Sequence, residues 1–272
     1  MSVDLLSPIL ERKARENHRR LGHQGLHHGY CVNGAAAPRP DPAAVVDALR
    51  RRGAECPRVI AEIKLRSPSA GTIRVRRPGE LQAIASAYAS AGAAAISVLC
   101  DGPGFGGSPL DLRRVAASVA RPVLFKEFVL APLQLRLARA MGASLVLLLV
   151  RALERQQLRD LIAQSLDLGL VPLVEAADEA ELELALATEA PVVGVNARDL
   201  KTFKVDPERA LRAVAAVPAD RVAVQMSGIA SGAALSALGP TRADAVLVGE
   251  ALMRAEQPGL ELARWLGPAE SA

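Results

Sequence analysis

Aromatic side chains are scarce in this chain of 272 residues: four Phe, two Tyr and one Trp make up 3% of it, although half the residues are hydrophobic. A core of that composition has to be assembled from Ala, Val and Leu. Cysteine is sparser still. Cys31, Cys56 and Cys100 are odd in number and share no CxxC spacing, so neither a disulfide framework nor a zinc site is expected, and a reducing compartment fits. Long apolar runs are missing as well. The longest, residues 144–150, falls far short of the ~20 residues that span a bilayer. Asp4, Glu11, Arg12 and Lys13 crowd the N-terminus with charge, so it does not read as a signal peptide. A block of Lys and Arg interleaved with aromatics is absent too, and nucleic acid is not an expected partner. What remains is a cytoplasmic, soluble protein whose mild net charge of +4 suits an anionic small molecule as well as a polyanion. Its length allows one large domain or two small ones.

Residues 1–45 read as an N-terminal extension and linker, and 46–272 as the main domain. Leu5, Leu6, Ile9 and Leu10 give one or two turns of helical periodicity before a basic run over residues 12–20. All four histidines follow close together: His18, His23, His27 and His28. His23 and His27 have the i, i+4 spacing of a helical metal pair. Gly22, Gly25 and Gly29 argue against a stable helix there, and a mobile polar segment is the expected outcome. Residues 34–41 read as a linker, with a short helix over residues 43–52 starting at Asp41 or its neighbours.

From Val59 onward the chain becomes rhythmic. Apolar, β-branched runs recur at 59–63, 94–99, 122–125, 144–150, 170–174, 192–195, 222–224 and 245–248. Between them lie segments of helical spacing, among them 81–91, 133–141, 153–168, 180–188 and 207–217. Continuous rather than alternating apolar strands are buried on both faces, as in a parallel sheet covered by helices. Eight such strand–helix units predict an α/β (β/α)8 barrel. A doubly wound open sheet is the runner-up, but no GxGxxG follows any strand.

Active sites of such barrels lie at the C-terminal ends of the strands. Those ends are polar here. The first carries Glu62 and Lys64, which share a strand face at i, i+2, followed by a loop with Ser67. An ordinary strand-end ion pair would have the same spacing. The second leads through Asp101 to a glycine-rich loop with Phe105 and Ser108, and the third ends in Lys126, Glu127 and Phe128. Glu175, Asn196, Arg198, Ser227, Gly228, Gly249 and Glu250 follow on the later strands. Acids and bases meeting at one mouth supply proton donors and acceptors with no metal or cofactor required. Gly228 and Gly249 sit after strands seven and eight, where this fold recurrently binds phosphate, although both could be simple turn residues.

These stretches resemble the indole-3-glycerol phosphate synthase family. The resemblance is carried by AEIKLRSPSAG at 61–71, ISVLCD and FGGS within 96–108, and PVLFKEF at 122–128. It continues through LVE at 173–175, GVNARDL at 194–200, SGI at 227–229 and VLVGEALMR at 246–254. It covers the whole barrel in order. It implies a decarboxylating carbon–carbon lyase of tryptophan biosynthesis that closes 1-(2-carboxyphenylamino)-1-deoxyribulose 5-phosphate to indole-3-glycerol phosphate. By that resemblance Lys126 is the general acid. Lys64 pairs with the substrate carboxylate and assists dehydration, held by Glu62. Glu175 is the general base, oriented by Asn196. Ser67 and Arg198 bind polar parts of the substrate, and Phe105 and Phe128 wall its aromatic ring. Ser227, Gly228, Gly249 and Glu250 form the phosphate cradle. No cofactor, metal or obligate protein partner is implied.

Three departures stand out. The family usually has Glu-Ser-Gly-Ile after strand seven, where this chain has Met226 before Ser227-Gly228-Ile229. Glu127 stands where Asp is usual. The His/Gly-rich N-terminal segment matches poorly the family's helical extension over the barrel mouth. Met226 leaves open a paralogue that closes a modified anthranilate derivative in secondary metabolism. A non-catalytic phosphate-ligand-binding barrel is a further alternative, which the retained acid–base set disfavours.

Overall fold

The computed structural model describes residues 6–22, 41–53, 56–198 and 206–267. Cys31, His23, His27, His28 and residues 34–40 of the expected linker lie outside them. Eight parallel strands close into a barrel: β1 (Arg58–Ile63), β2 (Ala95–Leu99), β3 (Val123–Lys126), β4 (Leu145–Leu149), β5 (Val171–Ala176), β6 (Val192–Asn196), β7 (Val222–Met226) and β8 (Ala245–Val248). Each pairs with its sequence neighbours, and β1 closes the ring on β8 with Arg58 opposite Ala245. The expected barrel is the observed one.

Several strands run past the apolar stretches that announced them. Lys126, Glu175 and Asn196 are strand residues, as expected, and β7 ends at Met226, one residue before the expected Ser227. At Lys126, Glu175 and Asn196 hydrophobicity stops early because the inward-facing position holds a polar side chain, whereas on β7 the interruption is Gln225 and the inward-facing Met226 is again apolar. Alternation sorts the rest. Ile60, Leu124, Leu145, Val171, Val192, Val222 and Ala245 fill the barrel interior, while Ala61, Ile96, Phe125, Val146 and Val193 pack outward under the helices.

Before the barrel come α1 (Leu6–Gly22) and α2 (Pro42–Leu49). The Asp41 side chain accepts from the Ala43 amide and Pro42 occupies the first turn, a start signal written in two residues. Val45 and Leu49 of α2 join the interior cluster, so this helix plugs the N-terminal end of the barrel. Position 46 therefore falls inside an element that packs as part of the barrel. Between the strands lie α3 (Glu80–Ser90), α4 (Gly102–Phe105), α5 (Pro109–Ala116), α6 (Pro132–Ala140), α7 (Arg155–Asp167), α8 (Glu179–Leu186), α9 (Pro207–Ala215) and α10 (Gly232–Ser236). α11 (Glu250–Arg254) and α12 (Pro258–Leu266) follow the last strand.

α1 corrects an expectation. Its 17 residues continue well past the two turns that hydrophobic periodicity supported. The continuation is helical because its inward face changes from apolar to polar without changing its spacing. Leu6, Ile9 and Leu10 are partly covered, and Lys13 and Asn17 on the same face are buried. Among the described residues no helix is long and apolar enough to cross a membrane.

Candidate active site

At the C-terminal end of the barrel lies a cavity of about 620 Å3. Glu62, Lys64, Ser67, Phe105, Lys126, Phe128, Glu175, Asn196, Arg198, Ser227, Gly228, Gly249 and Glu250 all line it. Asp101 and Ser108 do not line it; they cap α4 and α5 instead.

Two charged groupings organise it. Glu62, buried at the end of β1, lies between two ammonium groups. Its Oε1 is 3.3 Å from Lys64 Nζ and its Oε2 is 3.2 Å from Lys126 Nζ. The Ser97 hydroxyl on β2 adds a 3.3 Å contact to the same Oε2. Burial pushes the Glu62 carboxyl upward, but the charge of Lys126, then that of Lys64, and hydrogen bonds from both bring it below the ordinary glutamate value. The carboxylate is thus held ionised between two cations. On β5 and β6, Asn196 Nδ2 donates to Glu175 Oε1 at 2.8 Å, while Asn196 Oδ1 accepts from the Arg198 amide at 2.9 Å. Both functions of one amide are used, which fixes its orientation and hence that of the Glu175 carboxylate.

The glycines are placed by more than turn geometry. A Cβ on Gly249 would lie 2.6 Å from Glu62 Oε1, so the backbone of β8 can approach the ion pair only without a side chain. A Cβ on Gly194 would lie 2.6 Å from the Met226 sulfur. Met226, 1% exposed, takes that space among the interior leucines. Among the described residues Ser227 is the non-glycine residue with positive φ, at 66°, and Gly228 follows at 82°. Strain of this kind, held at the rim of a cavity, is characteristic of a ligand-binding turn.

Sequence reasoning missed several contributors. Leu6 and Ile9 of α1 line the mouth, as do Ser69 and Arg254. The i, i+3 spacing of Leu6 and Ile9 was the available signal. Glu127, next to Lys126, does not pair with the mouth's lysines. Its Oε2 accepts from Lys13 Nζ at 3.0 Å and its Oε1 from the Phe128 amide at 2.8 Å.

A (β/α)8 barrel whose mouth gathers two lysines, a bridging glutamate and an oriented second glutamate defines an acid–base enzyme of the barrel class. The family model for indole-3-glycerol phosphate synthase matches residues 9–264. A relative of that name from Polaromonas sp. is 46% identical over 97% of this chain and 98% of its own. Another, from Mycobacteroides abscessus, is 44% identical over 84% of this chain and 82% of its own. The chain belongs to the indole-3-glycerol phosphate synthase family. Solved structures at lower identity show the fold alone. A mutant tryptophan synthase alpha-subunit from Pyrococcus furiosus aligns with a TM-score of 0.59 at 13% identity, covering 78% of this chain and 97% of that one. A thiamine phosphate pyrophosphorylase from the same organism aligns at 0.54 and 14%, covering 78% and 93%.

Proposed function

We propose that this protein is an indole-3-glycerol phosphate synthase that closes 1-(2-carboxyphenylamino)-1-deoxyribulose 5-phosphate to indole-3-glycerol phosphate, releasing carbon dioxide and water. The observation that carries the reading is the Lys64–Glu62–Lys126 array facing the Glu175–Asn196 pair across one cavity. In the first step the ring carbon bearing the carboxylate attacks the substrate ketone. Lys126, held by the ionised Glu62, donates a proton to the ketone oxygen as the new carbon–carbon bond forms. The carboxylate, paired with Lys64 until then, leaves as carbon dioxide, and its bonding electrons restore the ring. Dehydration follows: Glu175 removes a proton while the new hydroxyl departs as water with a proton supplied by Lys64. Arg198 and Ser67 hold polar parts of the substrate. The phosphate is assigned to the backbone around Ser227, Gly228, Gly249 and Glu250, and the aromatic ring to Phe105 and Phe128. A cytoplasmic location is part of the proposal and suits a phosphorylated small-molecule substrate. No protein partner is invoked.

The test is steady-state turnover of that substrate, followed by indole fluorescence, for wild type and Lys126→Ala. Turnover by wild type and its loss by about 10³-fold or more in the variant are expected for removal of a general acid. An inert wild type would overturn the reading.

A further inference from the structure

The polar half of α1 ends in a closed set of charges that the reaction does not use. Lys13, 3% exposed, directs its ammonium at three carboxylates: Glu16 Oε2 at 3.0 Å, Glu127 Oε2 at 3.0 Å and Asp101 Oδ1 at 3.2 Å. Two of its three donors make hydrogen bonds, to Glu16 and Glu127, and the Asp101 contact is an ion pair. Arg12 adds a second cation, 2.7 Å from both Glu16 and Asp101. Two of these acids stand immediately beside the aromatic residues of the mouth. The Glu127 Oε1 atom accepts from the Phe128 amide at 2.8 Å. The Asp101 Oδ2 atom accepts from Gly104 at 2.7 Å as the cap of α4, the single turn that carries Phe105. The two rings face each other with centroids 6.1 Å apart and planes tilted by 43°. One turn further along α1, Asn17 Nδ2 donates to Gln134 Oε1 at 2.7 Å. Gln134 in turn donates to the Phe128 carbonyl at 2.7 Å.

We infer that Lys13 is a positioning residue for the substrate's aromatic ring: through one carboxylate each, its ammonium fixes the backbone of Phe105 and of Phe128, while Leu6 and Ile9 of the same helix close the mouth above them. This rests on the proposed reaction only in that the ring is assigned to this wall. The Phe128 amide donates to Glu127 and the turn that carries Phe105 is capped by Asp101, so both acids help set the rings' places. Those acids are in turn compensated from α1. Without Lys13, Arg12 still pairs with Glu16 and Asp101 while Glu127 loses its cation, and the cluster moves from a net charge of about −1 to about −2 in a buried setting.

Two ligands separate this role from a general loss of structure. Anthranilate probes the aromatic wall, and inorganic phosphate probes the opposite pole of the cavity; binding of each to the full-length protein is read by titration, with no turnover needed. Lys13→Met is expected to weaken anthranilate about tenfold and leave phosphate within about twofold. In turnover it raises KM about tenfold with kcat within about threefold. The double variant Lys13→Met/Glu127→Gln leaves no second acid uncompensated and keeps an acceptor for the Phe128 amide. It should regain thermal stability yet retain the anthranilate defect. Equal weakening of both ligands, no weakening of anthranilate, or full recovery of anthranilate binding in the double variant would each overturn the inference. If wild type bound anthranilate but failed to turn the substrate over, the proposed reaction would fall and the role of Lys13 would still be decided by the titrations.

Discussion

Glu62 decides the charge of the mouth, and its neighbours show how little latitude it has. Replacing it by Gln leaves Lys64 and Lys126 facing each other with no anion between them. Removing one partner of a buried ionic array costs about 3–5 kcal/mol. Glu62→Gln should therefore lower kcat by two orders of magnitude or more, because Lys126 loses both its position and its charge partner; stopped-flow or steady-state turnover reads this directly. Gly249→Ala tests the same array from the other side. Its Cβ would meet Glu62 Oε1 at 2.6 Å, so the carboxylate must leave the lysines, and kcat should fall with no chemical group removed. Met226 behaves differently. It fills the space over Gly194 with an apolar side chain where the family usually places an acid. Met226→Glu fits by length. If the acid binds a substrate hydroxyl worth about 1.5–3 kcal/mol, it raises kcat by about 10- to 150-fold. The same substitution buries a carboxylate among leucines, so the thermal midpoint should drop as activity rises. Unchanged kcat would mean that this barrel has no use for an acid at that strand end.

Elements differed in how openly the sequence announced them, and the reason is physical in each case. The barrel strands were legible because burial on both faces makes each one an unbroken apolar run. Their last residues, Lys126, Glu175 and Asn196, are polar at inward positions and interrupt the run, yet they were legible as strand ends from their place directly after it. The mouth residues were legible as a set because parallel strands deliver all their C-terminal ends to one face, and family motifs marked the same positions. α1 was half legible. Leu6 and Ile9 repeat at helical spacing, but the buried face then continues as Lys13 and Asn17, which a hydrophobic pattern cannot register. α4 escaped notice because four residues containing two glycines and a proline form a helical turn only when Asp101 caps it. α2 carried its start signal in Asp41-Pro42, yet nothing local says that its Leu49 plugs the barrel. That packing is testable. Leu49 is fully buried against the interior cluster, so Leu49→Ala should cost about 2–5 kcal/mol and lower the thermal midpoint. The plug lies at the end of the barrel opposite the mouth, and kcat at a permissive temperature should stay unchanged. A matching loss of kcat would show that the interior layers transmit strain along the barrel axis.

The whole molecule joins its N-terminal helix to its barrel by ion pairs from Arg12 and Lys13 to Asp101 and Glu127. With Glu16 on the helix itself and Glu62 in the mouth, these carboxylates set its response to acid. Burial pushes Glu62 up, but Lys126 and Lys64 bring it below its ordinary value. Burial likewise opposes the shifts of Asp101 and Glu16. Arg12, the Gly104 amide and Lys13 lower Asp101, and Lys13 and Arg12 lower Glu16. A carboxyl depressed in the folded state contributes stability above its unfolded value and loses it as pH falls through the folded one. Glu127 has the opposite sign. Burial leaves it raised despite Lys13 and the Phe128 amide, so it subtracts stability when ionised, and protonation relieves that as pH falls through its raised value. The three depressed groups should outweigh the one raised group, with the balance tipping below about pH 5, where unfolded carboxyls themselves begin to protonate. The thermal midpoint should thus stay nearly level from pH 7 to about pH 5, then fall steeply. Glu16, Asp101 and Glu127 all meet at Lys13, so the contact between α1 and the mouth should loosen with or before the barrel. Amide exchange over residues 6–22 measured at pH 7, 5 and 3.5 reads that order. Exchange in α1 that stayed protected at pH 3.5 while the barrel strands opened would show that apolar contacts at Leu6 and Ile9, rather than the ionic cluster, hold the helix down.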